Sequence, residues 1–322
     1  MVILYIALIA AALALLTAFI CYRITFYAKP AKPLGPDEYN VPRGKAYDSY
    51  HDQMIAWQKE VRALSHQDFS IQSHDGLTLW GKYYEFAPGA PIELMFHGYR
   101  GSAERDLCGG VQRCFALGRS ILLVDQRTAG RSGGHTISFG VNEHKDCLAW
   151  VDFMIRHFGP DVKIILTGIS MGASTVALAA GQDLPKNVVG VLADCGYHSG
   201  KAIICKCADE MHLPGKLVYP FIRLGAMLFG GFDPNLSEPA KALQSCRLPV
   251  IFFHGESDDF VPCHMSRIMA ENCAGPSRLV TVPGAVHGLS YIVQPQRYLQ
   301  EVADFFTENG VPTQVLTESR EA

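Results

Sequence analysis

Val162-Lys163-Ile164-Ile165-Leu166-Thr167-Gly168-Ile169-Ser170-Met171-Gly172 runs directly into Ala173-Ser174-Thr175-Val176-Ala177-Leu178-Ala179-Ala180. An apolar run of strand length is thus followed by G-x-S-x-G and then by a helix-forming stretch. A turn of this kind lifts a serine hydroxyl clear of the backbone, and the glycines two positions either side of Ser170 let strand and helix approach without Cβ clashes. The hydroxyl becomes a useful nucleophile only with a base beside it. A second match, Gly130-Arg131-Ser132-Gly133-Gly134, starts several residues beyond the apolar run Ile121 to Val124, and Gly133-Gly134 opens a helix poorly. Ser170 is predicted to be the nucleophile and Ser132 a loop serine.

Outward from this stretch, Phe69 to Ser73 and Leu77 to Tyr84 alternate polar and apolar around His74-Asp75-Gly76, a hairpin signal. Short apolar runs then recur at Ile92 to Phe96, Ile121 to Val124, Val162 to Leu166 and Val188 to Leu192, with segments of helical length or periodicity between them. Buried strands alternating with helices imply an α/β fold, a mostly parallel sheet with helices on both faces. From Tyr197 to Cys246 the alternation lapses into short apolar helices broken by Pro214, Pro220, Gly230, Gly231 and Pro234, the pattern of a cap over the sheet. It resumes with Leu248 to Phe253, a helix from about Cys263 to Cys273, the strand Leu279 to Val282 and a last helix from about Pro295 to Asn309.

Reactive groups gather where such sheets bind ligands, at the carboxyl ends of the strands. The first parallel run ends in His97-Gly98-Tyr99-Arg100-Gly101, a turn whose N–H groups can face an anion. The third ends in Ser170, the run to Phe253 in His254-Gly255-Glu256-Ser257-Asp258-Asp259, and the last in Gly284-Ala285-Val286-His287-Gly288. The order is nucleophile, acid, histidine, with Asp258, its neighbour Asp259 and the more distant Asp194 all available as the acid. His97 and His254 read as residues that fix their own loops, as do Arg100 and Arg127, although either arginine could meet an anionic substrate.

Together these motifs resemble the α/β-hydrolase family, in particular anchored bacterial serine hydrolases of the serine aminopeptidase and lysophospholipase-like branch. The resemblance covers roughly Phe69 to Phe306 and rests on H-G-x-x-G, on D-x-R-x-x-G-x-S at Asp125 to Ser132, on G-x-S-x-G, on H-G-x-x-D-x-x-V-P and on G-x-x-H-G. It accounts for the second serine motif as a structural loop, in which Thr128 stands where the family often has glycine. It implies an α/β-hydrolase fold with a triad of Ser170, Asp258 and His287, the spacing after His254 selecting Asp258 over Asp259. Backbone N–H groups of Tyr99 and Met171 would form the oxyanion hole. The implied activity is hydrolysis of carboxylic esters through an acyl-enzyme, with no cofactor and no metal. Amide, peptide or thioester substrates, or a silent scaffold, are the alternatives.

The remaining chain sets the context. Val2 to Tyr22 carries no charge and is long enough to cross a hydrocarbon core of roughly 30 Å. Lacking a basic segment before it, this run reads as a retained transmembrane anchor more readily than as a cleaved signal. Arg23, Lys29, Lys32, Arg43 and Lys45 all follow the anchor, which by the positive-inside tendency puts the body in the cytoplasm. Ten cysteines form no CxxC pair, Cys205-Lys206-Cys207 lacks the partners of a zinc site, and a net charge of −3 argues against a nucleic-acid partner. The expected division is an anchor over 1–22, a linker and amphipathic helix over 23–64, a hydrolase domain over 65–310 with its cap at 197–246, and a disordered tail over 311–322. The partner is a small-molecule or lipid-like ester, the membrane is met through the N-terminal helix, and nothing in the sequence fixes the oligomeric state. Within the cap Leu217, Phe221, Leu224 and Met227 are candidates for an acyl pocket, with packing of the cap onto the body as the competing role.

Overall fold

The expected hairpin forms as β1 (Gln67–Gln72) and β2 (Thr78–Tyr84), antiparallel with Phe69 opposite Gly81. The apolar runs become β3 (Ile92–Phe96), β4 (Ser120–Asp125), β5 (Ile164–Ile169), β6 (Val188–Asp194), β7 (Val250–Gly255) and β8 (Ser277–Val282). All eight join one sheet in the order β1-β2-β4-β3-β5-β6-β7-β8, parallel from β4 to β8 across that order. The computed structural model describes residues 1–29 and 34–313, so the expected tail from 314 onward and the stretch from 30 to 33 of the expected linker lie outside the described residues.

Helices cover both faces because the strands present apolar side chains on both. On one side α5 (Glu143–Phe158), α6 (Met171–Ala180), α9 (Pro239–Leu243) and α10 (His264–Asn272) enclose Leu94, Leu122, Leu166, Val191 and Phe252. On the other, α3 (His51–Ala63), α4 (Ala103–Ala116) and α12 (Pro295–Glu308) close over Met95, Leu123, Ile165, Ile251 and Phe253. The single amphipathic helix expected before the hairpin is two, α2 (Lys45–Asp48) and α3, broken at Ser49 and Tyr50. Its apolar side packs on α4, with Trp57 lying over Gly109, where an added Cβ would come within 2.7 Å of the indole.

One strand carries a charge that the apolar pattern hides. Glu93 of β3 is fully buried and accepts from Arg113 Nη1 at 3.2 Å, Arg119 Nη1 at 2.5 Å and the Thr167 hydroxyl at 2.8 Å. Burial alone would raise its pKa, but the two guanidinium groups outweigh it and hold the carboxyl at about 2. Because that value lies below the ordinary carboxylate range of the unfolded chain, about 4.3, the stabilisation is complete above that pH and lost as pH falls toward 2. Glu93→Gln leaves two buried cations without their counter-charge and is expected to lower unfolding stability by about 3–5 kcal/mol at neutral pH. Urea titration of both proteins checks this, and the difference should shrink as the pH approaches 2.

The N-terminal helix α1 (Val2–Thr25) extends past the expected anchor end at 22, and its last turns belong to the body. Ala18 and Phe26 are fully buried, and Tyr22 donates or accepts at 2.8 Å with the Thr136 hydroxyl. The chain after α1 pairs with the loop before α5 through Ala28 N–H to His135 O at 2.9 Å and Ile137 N–H to Phe26 O at 2.8 Å. Phe26 meets Phe139 and Phe232 edge-on at centroid distances of 5.7 and 5.1 Å. The cap consists of α7 (Gly200–Glu210), α8 (Gly215–Gly225), a π-helical segment (Ala226–Gly230) and a 3-10 turn (Pro234–Leu236). It packs against α1 through Gly225, where a Cβ would lie 2.2 Å from Ala18 O.

Candidate active site

Ser170 occupies the turn between β5 and α6 with φ 57° and ψ −119°, a conformation costly for a residue with a Cβ. Its flanking glycines are required sterically. A Cβ on Gly168 would fall 2.1 Å from Gly172 O, and one on Gly172 would fall 2.0 Å from Phe96 O. Strand, turn and helix therefore close on one another only with glycine at both positions, which presses the start of α6 against the end of β3.

His287, after β8, reaches Ser170 Oγ with Nε2 at 2.8 Å and Asp258 Oδ2 with Nδ1 at 2.7 Å. Asp258 is buried, and its other oxygen, Oδ1, accepts the N–H groups of Val261 at 2.8 Å and Phe260 at 3.0 Å. Burial would raise this carboxyl, yet the hydrogen bonds from His254 and His287, the charge of His287 and the Val261 amide outweigh it and hold it at about 2. Asp259 is exposed, with only its backbone carbonyl engaged, by Lys206 of α7. Asp194 faces elsewhere. It accepts from Ser290 at 2.9 Å and Tyr298 at 3.2 Å, and burial holds its carboxyl above the ordinary range.

Of the residues that could serve an oxyanion, Met171 is the first of α6 and Tyr99 lies in the turn after β3. Neither N–H meets an acceptor among the described residues, as the start of a helix and an open turn allow. The turn is held from outside: Asp106 accepts Gly98 N–H at 3.0 Å, and the Tyr99 hydroxyl donates to Thr25 O at 2.8 Å. The end of α1 thus braces the turn that carries one of these donors. Arg100 spends its guanidinium on the carbonyls of Ile24 and Tyr27, at 2.7 and 3.1 Å, and Arg127 binds Asp146 and Asp75. Both arginines fix loops.

His97 accepts Gln126 N–H on Nε2 at 3.0 Å and donates from Nδ1 to Gly98 O at 2.8 Å, a loop role. His254 donates from Nε2 to Val261 O at 2.7 Å, and the same nitrogen lies 3.2 Å from Asp258 Oδ2. It therefore touches the acid as well as its loop. Ser132 donates to Asp125 O at 2.6 Å and accepts Trp80 N–H at 2.9 Å, a loop serine whose hydroxyl is engaged by backbone and not by His287. Thr128 in the same loop has φ 74°, the left-handed region that favours the glycine it replaces in the family pattern. Tyr47, which the sequence places at the start of the amphipathic helix before the hairpin, donates its hydroxyl to His287 O at 2.9 Å, and burial raises its pKa to about 12. Nothing local in the sequence marks it, since its partner lies 240 positions away.

The four acyl-pocket candidates do not share the site. Leu217, Phe221 and Met227 are exposed at 72%, 37% and 48%, and Leu224 is half-buried. The opposite stripe of α8 and its continuation, Tyr219, Ile222 and Ala226, packs in the cluster that contains Met171, Phe139 and Tyr197. Apolar residues recur with helical spacing on both sides of α8, so the pattern alone could not choose the inward face. A cavity of about 420 Å³ lies between the end of α1 and Met171, lined among others by Arg23, Tyr27, Lys29 and Arg100. Two groups of potential metal ligands have their atoms within 4.8 Å of one another, Cys195 with Asp258 and His287, and His74 with Asp75 and Asp146. In the first the carboxylate and imidazole already hydrogen-bond each other, and in the second both carboxylates bind Arg127.

Comparison with known proteins agrees with this architecture. Residues 94–221 match a family model described as alpha/beta hydrolase fold. The uncharacterized protein YqkD of Bacillus subtilis is 28% identical over 190 residues, 59% of this chain and 62% of that protein, so the match spans less than two thirds of the relative. Protein bem46 of Schizosaccharomyces pombe is 22% identical over 300 residues, 91% of this chain and 88% of its own. Among solved structures, an esterase of Pyrococcus furiosus superposes with a TM-score of 0.63 at 17% identity, covering 88% of this chain and 98% of that one, a likeness of fold. With the strand order, the cap and the nucleophile turn already described, the chain has an α/β-hydrolase fold.

Proposed function

We propose that the protein is a membrane-anchored serine hydrolase that cleaves carboxylic esters. One observation carries this: a single imidazole, His287, bridges the hydroxyl of a strained turn serine and a buried carboxylate, at 2.8 and 2.7 Å. His287 Nε2 takes the proton as Ser170 Oγ adds to the ester carbonyl, and Asp258 holds Nδ1–H and stabilises the imidazolium. Charge on the carbonyl oxygen is met by the N–H groups of Met171 and Tyr99, each worth on the order of 10² to 10³ in rate. His287 returns the proton to the departing alcohol, leaving an acyl-Ser170. Water activated by the same imidazole then releases the acid and restores the serine.

The cavity beside Met171, lined by Tyr27, Ala28 and Ile137 together with Arg23 and Lys29, suits an amphiphilic ester with an apolar acyl group. Helix α1, long and apolar enough to cross a membrane, serves as a retained anchor. Burial of Ala18, Tyr22 and Phe26 against the body supports retention over removal. The basic residues after it favour a cytoplasmic body. Digestion of the body by protease added outside sealed cells would contradict that orientation.

Substrate class is tested by a panel of p-nitrophenyl esters of increasing acyl length beside matched anilides and thioesters. Each methylene buried contributes about 0.8 kcal/mol, so kcat/KM for esters should rise on the order of tenfold per two carbons until the chain outgrows the cavity, with anilides far slower. Anilides or thioesters turned over faster than the esters would assign the triad to amide or thioester cleavage.

A further inference from the structure

Apart from Met1 and α1, the large apolar side chains that the described chain exposes are concentrated between Met211 and Phe229, the others being Leu34, Leu236 and Phe260. This stretch includes Leu217 at 72% and Leu228 at 54% exposure, and large apolar side chains clustered on a surface mark an interaction site. It is also fixed at a definite height on α1. Gly225 is pressed against Ala18, and the ring of Phe229 meets that of Phe19 edge-on at 5.1 Å. Ala18 and Phe19 precede Arg23, the first charged residue of α1, by five and four positions, or about 6 to 8 Å at 1.5 Å per residue.

We propose that the outer face of α8 and the π-helical segment is a second membrane contact, immersed in the interfacial layer of the bilayer that α1 spans. This rests on the anchor assigned to α1 above. Through the Phe19–Phe229 contact the exposed apolar surface of α1 meets that of the cap, so whatever solvates Leu16, Phe19 and Ile20 also reaches Phe229. Lys216 and Arg223, the charged residues of α8, fit the same seating. Lys216 is exposed and its stem can carry the ammonium to the headgroups, while Arg223 is paired with Asp233 at 2.7 Å. The helix is then of the kind that lies in an interface, apolar on its outer side with basic residues at the rim. The cap is consequently a lipid-seated element.

The full chain reconstituted into phosphatidylcholine vesicles, doped with a phosphatidylcholine bearing a diazirine in its acyl chain, provides the test. After irradiation, adducts are mapped by peptide mass spectrometry. The inference expects adducts in α1 and in 211–229 at comparable yield, with both about tenfold above α12, whose outer side faces water. Adducts confined to α1, with 211–229 no higher than α12, would overturn the second contact and leave the anchor standing. That result would also follow if a second copy of the chain covered this face. An absence of adducts from α1 as well would overturn the anchor, and the cap contact with it.

Discussion

Ser170→Ala is expected to lower kcat by on the order of 10⁶-fold, His287→Ala by a similar factor, and the double variant by little more than either alone. The geometry dictates this lack of additivity. The hydroxyl is a nucleophile only while His287 Nε2, 2.8 Å away, can accept its proton, and without the hydroxyl that imidazole has no acyl-accepting group to activate. What persists in each variant is the binding and electrostatic contribution of the site, including the two N–H groups. Because Ser170 sits at φ 57°, a conformation no easier for alanine, the substitution leaves the turn strained. Steady-state rates on a short-chain ester, with urea titrations of each variant beside them, separate loss of chemistry from loss of fold.

The second large effect concerns the acid. Asp258→Asn should lower kcat by roughly 10⁴-fold while leaving the protein folded. Oδ1 accepts two backbone N–H groups, from Val261 and Phe260, so the amide oxygen of asparagine must take that place. Its NH₂ then occupies the Oδ2 position and donates to His287 Nδ1. The imidazole is forced into the tautomer with its hydrogen on Nε2 and can no longer accept from Ser170. The same NH₂ faces His254 Nε2, itself a donor to Val261 O, so some stability is lost as well. Asp259→Asn should change kcat less than twofold, since only its backbone carbonyl is engaged. A larger effect at Asp259 than at Asp258 would show the acid to be misassigned.

The parts of this molecule legible in sequence are those in which a local pattern carries a local constraint. Apolar runs of strand length, leading into short turns that carry glycine, histidine, serine or acid, yield the sheet and its functional edge. G-x-S-x-G yields the turn because no other residue survives at Gly168 or Gly172. The decoy at Gly130 to Gly134 separates from the real site by its distance from a strand. What escaped depends on partners remote in the chain. Glu93 hides within an apolar run because Arg113 and Arg119 neutralise it from α4 and the loop beyond. Tyr47 is joined to His287 from a helix whose sequence marks it only as amphipathic. The end of α1 and the residue after it read as anchor up to 22 and as linker beyond, although Ala18 and Phe26 are as buried as any core residue. On α8 two apolar stripes compete, and only the docking of the cap decides that Tyr219 and Ile222 face inward while Leu217 and Phe221 do not.

Covalent labelling tests the central claim most directly. A fluorophosphonate mimics the tetrahedral intermediate and reacts only with a serine activated by its base. Incubation of the full chain in detergent, followed by intact mass and peptide mapping, should give one adduct per chain, located on Ser170. Ser170→Ala should give none, and Asp258→Asn should label far more slowly than the wild type. A wild-type chain that is folded yet unlabelled, or one labelled at Ser132 or another serine, would contradict the triad proposed here.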